Sequence, residues 1–357
     1  MSEWKTVRLG DVCDKGSSNI AQNEITDNNG EYPIYGASGF IKNVDFYKQD
    51  KPYIGIVKDG AGVGRVSVHP AKSSLIGTMQ YIFPKENIDI KFLAEVLKYQ
   101  NLSRFYTGAT IPHIYFKDYQ NISLKLPSLQ EQKHIAAILD KTQKIIAEHR
   151  QMLEKYDTLV KSEFVEMFGD IDCNIKTIEQ TCTMKSGTTF SKEDELDSGE
   201  IYYIKVSGMN LPGNEKYIKS SLTFVSREIA GKTIIPANSI IFPKRGGAIG
   251  TNKKRITEHE ICIDLNTMAV TPSKELNIQY LYQFFQNIDM GKLYNGSSVP
   301  QINNKDIGPL KIKVPPLTLQ NDFAAFVQQI DKSKFAVQKS LEKTELLYKA
   351  LMQQYFG

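Results

Sequence analysis

The sequence lacks the features that mark a secreted, metal-binding or membrane protein. Its four cysteines are scattered without a Cys-x-x-Cys spacing, which predicts neither a disulfide framework nor a zinc cluster. The longest apolar runs, such as residues 135–139, are too short to span a bilayer, and the N-terminus has no signal-peptide core. We therefore expect a cytoplasmic protein with reduced thiols, without metal and without membrane contact.

A strong charge of one sign is also missing. The chain has 44 Lys and Arg residues against 40 Asp and Glu, and the net charge of +4 neither demands nor excludes a nucleic-acid ligand. Residues 1–170 hold 21 basic and 21 acidic residues, so the other 23 basic and 19 acidic residues place the whole excess in the second half. The 41% hydrophobic content is typical of a globular protein and excludes a disordered or fibrous chain.

What the chain does have is an internal repeat. Residues 90–139 align without a gap to residues 278–327, at a constant offset of 188. Upstream the offset is 186, where KDGAGVG at 58–64 matches KRGGAIG at 244–250, and near the two starts it is 171. The pattern predicts a duplicated chain.

Each copy has a first part and a second part of different composition. Residues 1–127 and 171–315 hold short β-branched and aromatic runs broken by Gly, Pro and Asn, typical of irregular β-rich structure. The second parts are residues 128–170, which contain no proline, and residues 316–357, which contain none after Pro316. Their only glycines are Gly169 and Gly357 near the ends, so the composition predicts two long helices. Shorter helices are expected within the β-rich parts at 91–106 and 279–294.

The long segments carry apolar residues at a spacing of three and four, which favours a coiled coil. The two stripes are Leu139, Thr142, Ile146, His149, Leu153, Tyr156 and Val160, and Ile330, Lys334, Val337, Leu341, Thr344, Tyr348, Leu351 and Tyr355. The predicted fold is α+β: two β-rich globes separated by two long helices that form an antiparallel coiled coil, with a pseudo-twofold internal repeat. Two such modules suit a ligand that repeats along a line, of which double-stranded DNA is the commonest.

Several stretches of the chain resemble the specificity subunit of type I restriction–modification systems. They are EWKTVRLGDVCDKGSS at 3–18, the matched stretches 108–118 and 296–306, LPSLQEQKHIAAILDK at 126–141 and VPPLTLQNDFAAFVQQIDK at 314–332. The resemblance covers essentially the whole chain.

The resemblance implies that each globe is a target recognition domain that reads one half of a bipartite DNA site. It also implies that the coiled coil sets the spacing and docks two DNA adenine methyltransferase subunits, and that an ATP-dependent restriction subunit can join them. S-adenosylmethionine and ATP would then bind only in those partner subunits, and this chain would hold no cofactor and carry out no chemistry.

Residues near the start of each long helix are candidates for partner contact. Glu131 and Gln132 lie in the first copy, whereas the second copy has Leu319 and Gln320 in their places. We therefore expect Glu131, Gln132 and Gln320 to contact a partner subunit.

An active site is not indicated by any motif. The glycine-rich GAGVG at 60–64 is followed by RVSVH, which predicts a strand, whereas a cofactor-binding glycine loop needs a helix there. The matching GGAIG at 246–250 is followed by TNKKR, again without a helical pattern. A tight turn that needs positive φ explains the glycines better, and the five histidines show no metal spacing.

Basic residues near these glycines are candidates for phosphate contact. Residues 232–255 contain six basic residues and no acidic one, and such a cluster on a glycine-bearing loop can approach phosphates closely. A solvated surface loop is the alternative. The candidates are Lys58, Arg65 and Lys72 in the first copy, and Lys244, Arg245, Lys253, Lys254 and Arg255 in the second.

Positions that differ between otherwise matched segments are candidates for base readout, because two half-sites must be told apart. His113, Tyr115 and Phe116 in the first copy correspond to Gln301, Asn303 and Asn304 in the second. Gln and Asn make bidentate hydrogen bonds to adenine, and His and Tyr reach base edges or stack. Ordinary packing and turn variation remain an alternative, and the adjoining Lys-Asp pairs at 117–118 and 305–306 are more typical of a cap on a turn.

A second class of function is also compatible with the sequence. A two-module scaffold could bind proteins through its globes, with basic loops that have no role. Salt-dependent binding to duplex DNA would distinguish the two, because only phosphate neutralisation gives a steep salt dependence.

Overall fold

The chain is described by a computed structural model over residues 4–108, 112–294 and 300–357. Its internal contacts form two compact units: unit 1 is residues 1–151 with 337–357, and unit 2 is residues 152–336. Each long helix therefore gives one half to each unit. The four predicted domain ranges stay predictions. Within the described residues, no helix is both long enough and apolar enough to cross a membrane.

The described residues of unit 1 begin with nine short strands and four helices, and the last helix continues into unit 2. The strands are β1 Lys5–Arg8, β2 Cys13–Ser17, β3 Tyr32–Gly36, β4 Gly39–Val44, β5 Tyr53–Val57, β6 Val66–His69, β7 Ser74–Leu75, β8 Met79–Pro84 and β9 Ser123–Leu126. The helices are α1 Leu9–Val12, α2 Ile90–Tyr99, α3 Phe116–Tyr119 and α4 Leu129–Phe168, with 3-10 turns at Gln22–Ile25 and Leu102–Phe105.

The strands of unit 1 form three small sheets. Their orders are β1-β9, β2-β8-β5-β6 and β4-β3-β7, antiparallel except for the β3–β7 pair. The four-stranded sheet and α2 bury a core that includes Ile54, Ile82 and Phe92, and Leu139 and Met352 of the long helices close it. Both long helices therefore contribute buried residues to the core of unit 1.

Unit 2 has, outside the gap at 295–299, ten strands, four short helices and the start of the last long helix. The strands are β10 Asn174–Thr177, β11 Cys182–Ser186, β12 Ile201–Ile204, β13 Tyr217–Ile218, β14 Phe224–Val225, β15 Ile240–Pro243, β16 Arg255–Thr257, β17 Ile261–Ile263, β18 Thr267–Pro272 and β19 Lys311–Val314. The helices are α5 Ile178–Thr181, α6 Arg227–Ala230, α7 Ile278–Gln286, α8 Asn304–Ile307 and α9 Leu317–Phe356, with 3-10 turns at Gly208–Asn210, Gly231–Thr233, Gly246–Thr251 and Met290–Lys292.

The sheets of unit 2 repeat those of unit 1 with one strand more. Their orders are β10-β19, β11-β18-β15-β16-β13 and β14-β12-β17, and β12 pairs in parallel with β17 as β3 does with β7. The additional strand β13 lies in the segment between β12 and β14, where unit 1 has only the turn between β3 and β4. The described structure confirms the α+β fold class and the internal repeat.

The strand registers confirm two of the three sequence offsets and correct the third. Lys5 pairs with Leu126 in unit 1, and Asn174 pairs with Val314 in unit 2, so Lys5 corresponds to Asn174 at an offset of 169. The offset of 171 at the two starts is therefore wrong by two residues. The similarity of Lys5-Thr6-Val7 to Lys176-Thr177-Ile178 produced this offset. The backbone pairing of β1 with β9 and of β10 with β19 sets the true register. The Gly296 member of the repeat lies outside the described residues.

Each of the two expected shorter helices ends early. The first helix stops at Tyr99 because Asn101 adopts a left-handed conformation (φ +47), and a 3-10 turn then completes the predicted span. The second stops at Gln286 and is likewise followed by a 3-10 turn. The aspartate and asparagine caps Asp89 and Asn277 begin both helices by accepting hydrogen bonds from backbone N–H groups.

The two long helices run antiparallel within each unit. In unit 1, Gln143 Nε2 donates to Tyr348 Oη at 2.6 Å, and Arg150 lies 2.6 Å from Glu345. In unit 2, Lys334 lies 2.6 Å from Asp157, and the rings of Phe164 and Phe323 are 5.5 Å apart. All members of the two predicted stripes are buried or half-buried, polar Thr142 and Lys334 included, which confirms the predicted coiled coil.

Candidate nucleic-acid interface

The glycine turn after the central strand lies against the stretch before α3 or α8 in both units. In unit 1, Gly60 N donates to Pro112 O at 2.9 Å and Ile114 N donates to Lys58 O at 2.9 Å. In unit 2, the corresponding bonds join Gly246 N to Pro300 O and Ile302 N to Lys244 O, both at 2.8 Å. Isolated bridges pair Asp59 with His113 and Arg245 with Gln301. The fold thus brings the phosphate and base-readout candidates together, twice and in the same register.

The backbone conformation of the turn in unit 1 requires its glycines. Gly60, Gly62 and Gly64 all have positive φ, at +83, +94 and +85, as the prediction of a tight turn requires. A Cβ on Gly64 would also lie 2.4 Å from Ser103 N, so no larger residue fits there. The matching segment of unit 2 is instead the 3-10 turn Gly246–Thr251, which begins at Gly246 with φ +70.

The phosphate candidates of unit 1 are accessible to different degrees. Arg65 is exposed, and its guanidinium donates to Ala37 O at 2.8 Å. Lys58 is half-buried with its ammonium 3.7 Å from Asp59. Lys72 is exposed but lies in another segment, the turn between β6 and β7. The turn that contacts the readout stretch therefore presents Lys58 and Arg65.

Three of the unit 2 phosphate candidates, Lys244, Arg245 and Lys253, are exposed or half-buried and have no backbone hydrogen bond from the side chain among the described contacts. Arg245 is exposed beside Gln301. Lys244 is half-buried and donates to Ser186 Oγ at 2.8 Å, and its burial together with the charge of Arg245 lowers its pKa. Lys253 is half-buried and donates to Asn210 Oδ1. These three side chains can still turn toward a phosphate.

Lys254 is not a phosphate contact, contrary to the prediction, because it is fully buried. Its ammonium donates to Asn252 Oδ1 at 2.8 Å and to Ile288 O at 2.7 Å, and desolvation lowers its pKa to about 8. Arg255 beside it is half-buried and donates to Met209 O and Lys254 O. Within the basic run 253–255, Lys254 therefore has a structural role, since its buried hydrogen bonds hold the turn before Met290.

The base-readout candidates sit at the start of α3 and α8. Tyr115 is 51% exposed at the N-cap of α3, and the ring of His113 contacts it edge-on at 5.0 Å. In unit 2, Gln301 Nε2 donates to Asn303 Oδ1 at 2.8 Å, and Asn304 is exposed. These side chains can reach a ligand that lies on the turn.

Phe116 does not belong to this set, contrary to the prediction, because its ring is buried in the core of unit 1 against Tyr119. The neighbouring aspartates have the structural role that their spacing indicates. Asp118 Oδ2 accepts from Tyr115 N at 3.1 Å, and Asp306 Oδ2 accepts from Asn303 N at 2.8 Å. Each carboxylate therefore fixes the backbone that carries the readout side chain.

Gln132 and Gln320 are not partner contacts, contrary to the prediction, because both are fully buried. Gln132 Oε1 accepts from Asp89 N at 2.8 Å, and its Nε2 donates to Asn87 O and Pro127 O. Gln320 makes the same three bonds, to Asn277 N, Glu275 O and Pro315 O. Each glutamine clamps its long helix to the loop before α2 or α7. Glu131 remains a half-buried candidate.

A group of exposed residues adjoins this surface, and sequence reasoning assigned none of them to it. They are Arg104 and Lys292, Tyr106 and Tyr294, and Lys117 and Lys305, paired at the offset of 188. The signal was available, since each pair keeps its chemistry in both copies, but only the structure shows that all six are exposed.

Comparison with known proteins agrees with the repeat. The family model described as the type I restriction modification DNA specificity domain matches residues 1–155 and again residues 171–347. The MjaVIII specificity subunit of Methanocaldococcus jannaschii is 23% identical over 397 aligned positions that cover 98% of this chain and 91% of that protein. A putative specificity subunit of Haemophilus influenzae, S.HindORF215P, is 21% identical over 85% of this chain and 80% of its own length.

Solved structures show the same fold. The S subunit of a type I restriction–modification system from M. genitalium matches with a TM-score of 0.67 at 17% identity, over 99% of this chain and 96% of that one. A chain from a study of complex assembly and conformational transition of the type I system matches with a TM-score of 0.60 at 13% identity, over 99% and 98%.

Proposed function

The chain belongs to the type I restriction modification DNA specificity family, as a subunit that recognises DNA sequence, and we propose that unit 1 and unit 2 each read one half of a bipartite site. The observation that carries this proposal is the repeated hydrogen-bonded contact between the basic glycine turn and the stretch before α3 or α8. It supports phosphate contacts and base contacts on one surface in each unit.

The residues that differ there supply the specificity. His113 and Tyr115 in unit 1 offer a ring and a hydroxyl, whereas Gln301 and Asn303 in unit 2 offer amides that can pair with adenine. The backbone that bears them has the same register in both units. Different side chains on equal frames thus give two different half-sites.

Methylation-site sequencing in a host that carries the complete system tests this proposal. Replacing Gln301, Asn303 and Asn304 together by Ala should change or relax the second half of the methylated sequence and leave the first half intact. The matched variant His113→Ala/Tyr115→Ala should do the reverse. An unchanged sequence in both variants would show that these stretches do not read bases.

The assembly proposed for this subunit has two copies of a DNA adenine methyltransferase subunit, to which a restriction subunit can be added. Repeat-equivalent leucines at the start of the long helices support two equal docking surfaces: unit 1 presents Leu129 and unit 2 presents Leu317, which are 42% and 44% exposed. Exposed leucines kept in both copies are not explained by the core. S-adenosylmethionine and ATP would bind in those partners, and this chain would contribute recognition and no chemistry.

The mass of the purified complex tests the docking surfaces. Leu129→Asp should remove one methyltransferase copy, and Leu317→Asp should remove the other, whereas exposed Gln130→Asp should retain both. Two bound copies in both leucine variants would contradict the proposal.

The scaffold alternative predicts no salt-dependent binding to duplex DNA.

A further inference from the structure

Three pairs of exposed residues keep their chemistry in both units although they lie outside the core. Arg104 and Lys292 are basic, Tyr106 and Tyr294 are tyrosines that are 55% and 37% exposed, and Lys117 and Lys305 are lysines. Each pair is related by the offset of 188 that the strand registers confirm. Residues kept on a surface need a reason other than burial.

Contacts inside the protein do not supply that reason for the basic pairs. Arg104 stacks 4.8 Å from the ring centre of Phe105 and donates to Gln100 Oε1 at 3.0 Å. The residues at the corresponding positions of unit 2 are Leu293 and Ile288, which offer neither an aromatic face nor a side-chain acceptor, yet Lys292 keeps the charge.

The lysine pair follows the same pattern. Lys117 lies 5.3 Å above the ring of Tyr115, whereas the corresponding residue of unit 2 is Asn303, beside Lys305. The internal partner has changed and the charge has not. A ligand shared by the two units explains this better than a local contact does.

All three pairs adjoin the readout surface. Arg104 and Lys292 lie in equivalent 3-10 turns, at Leu102–Phe105 and Met290–Lys292. Tyr106 precedes Thr107, which exchanges two backbone hydrogen bonds of 2.9 and 3.0 Å with His113. Lys117 and Lys305 lie in the first turn of α3 and α8, two residues after the exposed Tyr115 and the half-buried Asn303.

We propose that these six residues hold the DNA backbone in a way that does not depend on sequence, with two cations and a tyrosine hydroxyl on phosphates in each half-site. The proposal deepens the function proposed above and rests on it. Kept residues would position the duplex identically in both units, and the variable residues between them would then read different bases.

Binding of the complete complex to duplex DNA at several salt concentrations tests this assignment. Arg104→Ala/Lys117→Ala in unit 1, or Lys292→Ala/Lys305→Ala in unit 2, should each lower the steepness of the fall of log K with log salt by about 2, since each lost phosphate contact is worth about 0.9. Affinity should fall by the same factor, about 10- to 100-fold at low salt, for the cognate duplex and for a scrambled one, and the methylated sequence should stay unchanged. Tyr106→Phe, which removes only the hydroxyl, should weaken both duplexes equally by a smaller factor.

A control with the same charge change is Lys5→Ala/Lys15→Ala, on exposed lysines of β1 and β2. The assignment is overturned if the slope is unchanged in the variants, if the control lowers it equally, or if the preferred half-site changes. A parent complex without salt-dependent DNA binding would instead overturn the proposed function itself, so the two failures are distinguishable.

Discussion

Unit 1 and unit 2 share a frame but differ at two buried positions on equivalent strands. Unit 1 has Val66 and His69 where unit 2 has Lys254 and Thr257, as the registers of β6 and β16 show. All four residues are buried. The same strand arrangement therefore tolerates a titratable group at either position, at His69 within β6 or at Lys254 just before β16, provided that its polar atoms find partners inside. The comparison teaches that the two cores occupy equivalent positions, as Ile54 and Ile240 or Leu93 and Leu281 do, and that single buried positions can still differ.

The kept glutamines give the largest expected effect on this comparison. Gln132→Ala and Gln320→Ala should each lower the free energy of unfolding of their own unit by about 3 kcal/mol or more, because three backbone groups lose a buried partner. Trp4, the single tryptophan, packs on the core of unit 1 and reports its unfolding by fluorescence, and hydrogen exchange reports unit 2.

The exposed neighbours Gln130→Ala and Thr318→Ala serve as matched controls and should change stability by less than about 0.5 kcal/mol. Clearly unequal losses for the two glutamines would show that the units are not held in the same way.

The buried histidine should make unit 1 sensitive to acid. Burial lowers the pKa of His69 to about 4. The imidazole ring contacts the rings of Tyr35 and Tyr53, and its Nε2 lies 2.7 Å from Ser67 Oγ. Between pH 6.5 and 4 the unfolded chain binds a proton that the folded chain does not, so stability falls as the pH falls. From pH 6.5 to 5 the loss is about 1.5 kcal/mol.

His69→Phe, which keeps a ring at that position, should remove this part of the pH dependence in Trp4-detected denaturation. Parallel stability curves for the parent and the variant between pH 6.5 and 5 would refute it. Unit 2, with Thr257 at the position, should lack the effect.

The buried lysine should act in the opposite pH range, on unit 2. Desolvation lowers the pKa of Lys254 to about 8, so above pH 8 the unfolded chain holds a proton that the folded chain has released. The free energy of unfolding therefore rises with pH relative to Lys254→Met, by about 1 kcal/mol from pH 8 to 9. Hydrogen exchange of unit 2 at both pH values measures it, and a constant difference from the variant would exclude the mechanism.

The smallest expected effect concerns the aspartate caps. Asp118→Ala and Asp306→Ala should each cost about 0.5–1 kcal/mol, because one backbone N–H at the start of α3 or α8 loses its carboxylate partner. The asparagine variants should recover most of the loss. Thermal denaturation checks the stability, and no recovery with asparagine would assign the cost to charge rather than to the hydrogen bond.

Sequence reasoning was accurate where a pattern is local or repeated. The part predicted to be β-rich at 1–127 contains the strands Tyr53–Val57 and Met79–Pro84, because β-branched and aromatic runs between turn residues favour strands strongly. It was wrong for Lys254, Phe116, Gln132 and Gln320, whose letters are typical of surfaces or interfaces. Burial of a polar side chain depends on partners distant in sequence, and Gln132 finds two of its three partners more than 40 residues away.

The sequence by itself determined the duplication, the long helices and the family, because periodicity, absent glycine and proline, and repeated letters are properties of the chain. Only the tertiary structure decided which residues share a surface. Lys58 and Ile114 are 56 residues apart in the sequence, and Gly60 and Pro112 are 52 residues apart. Backbone hydrogen bonds nevertheless join both pairs, and the same bonds recur in unit 2. Such contacts form because the glycine turn and the stretch before α3 satisfy each other's backbone N–H and C=O groups, a requirement that no single segment reveals.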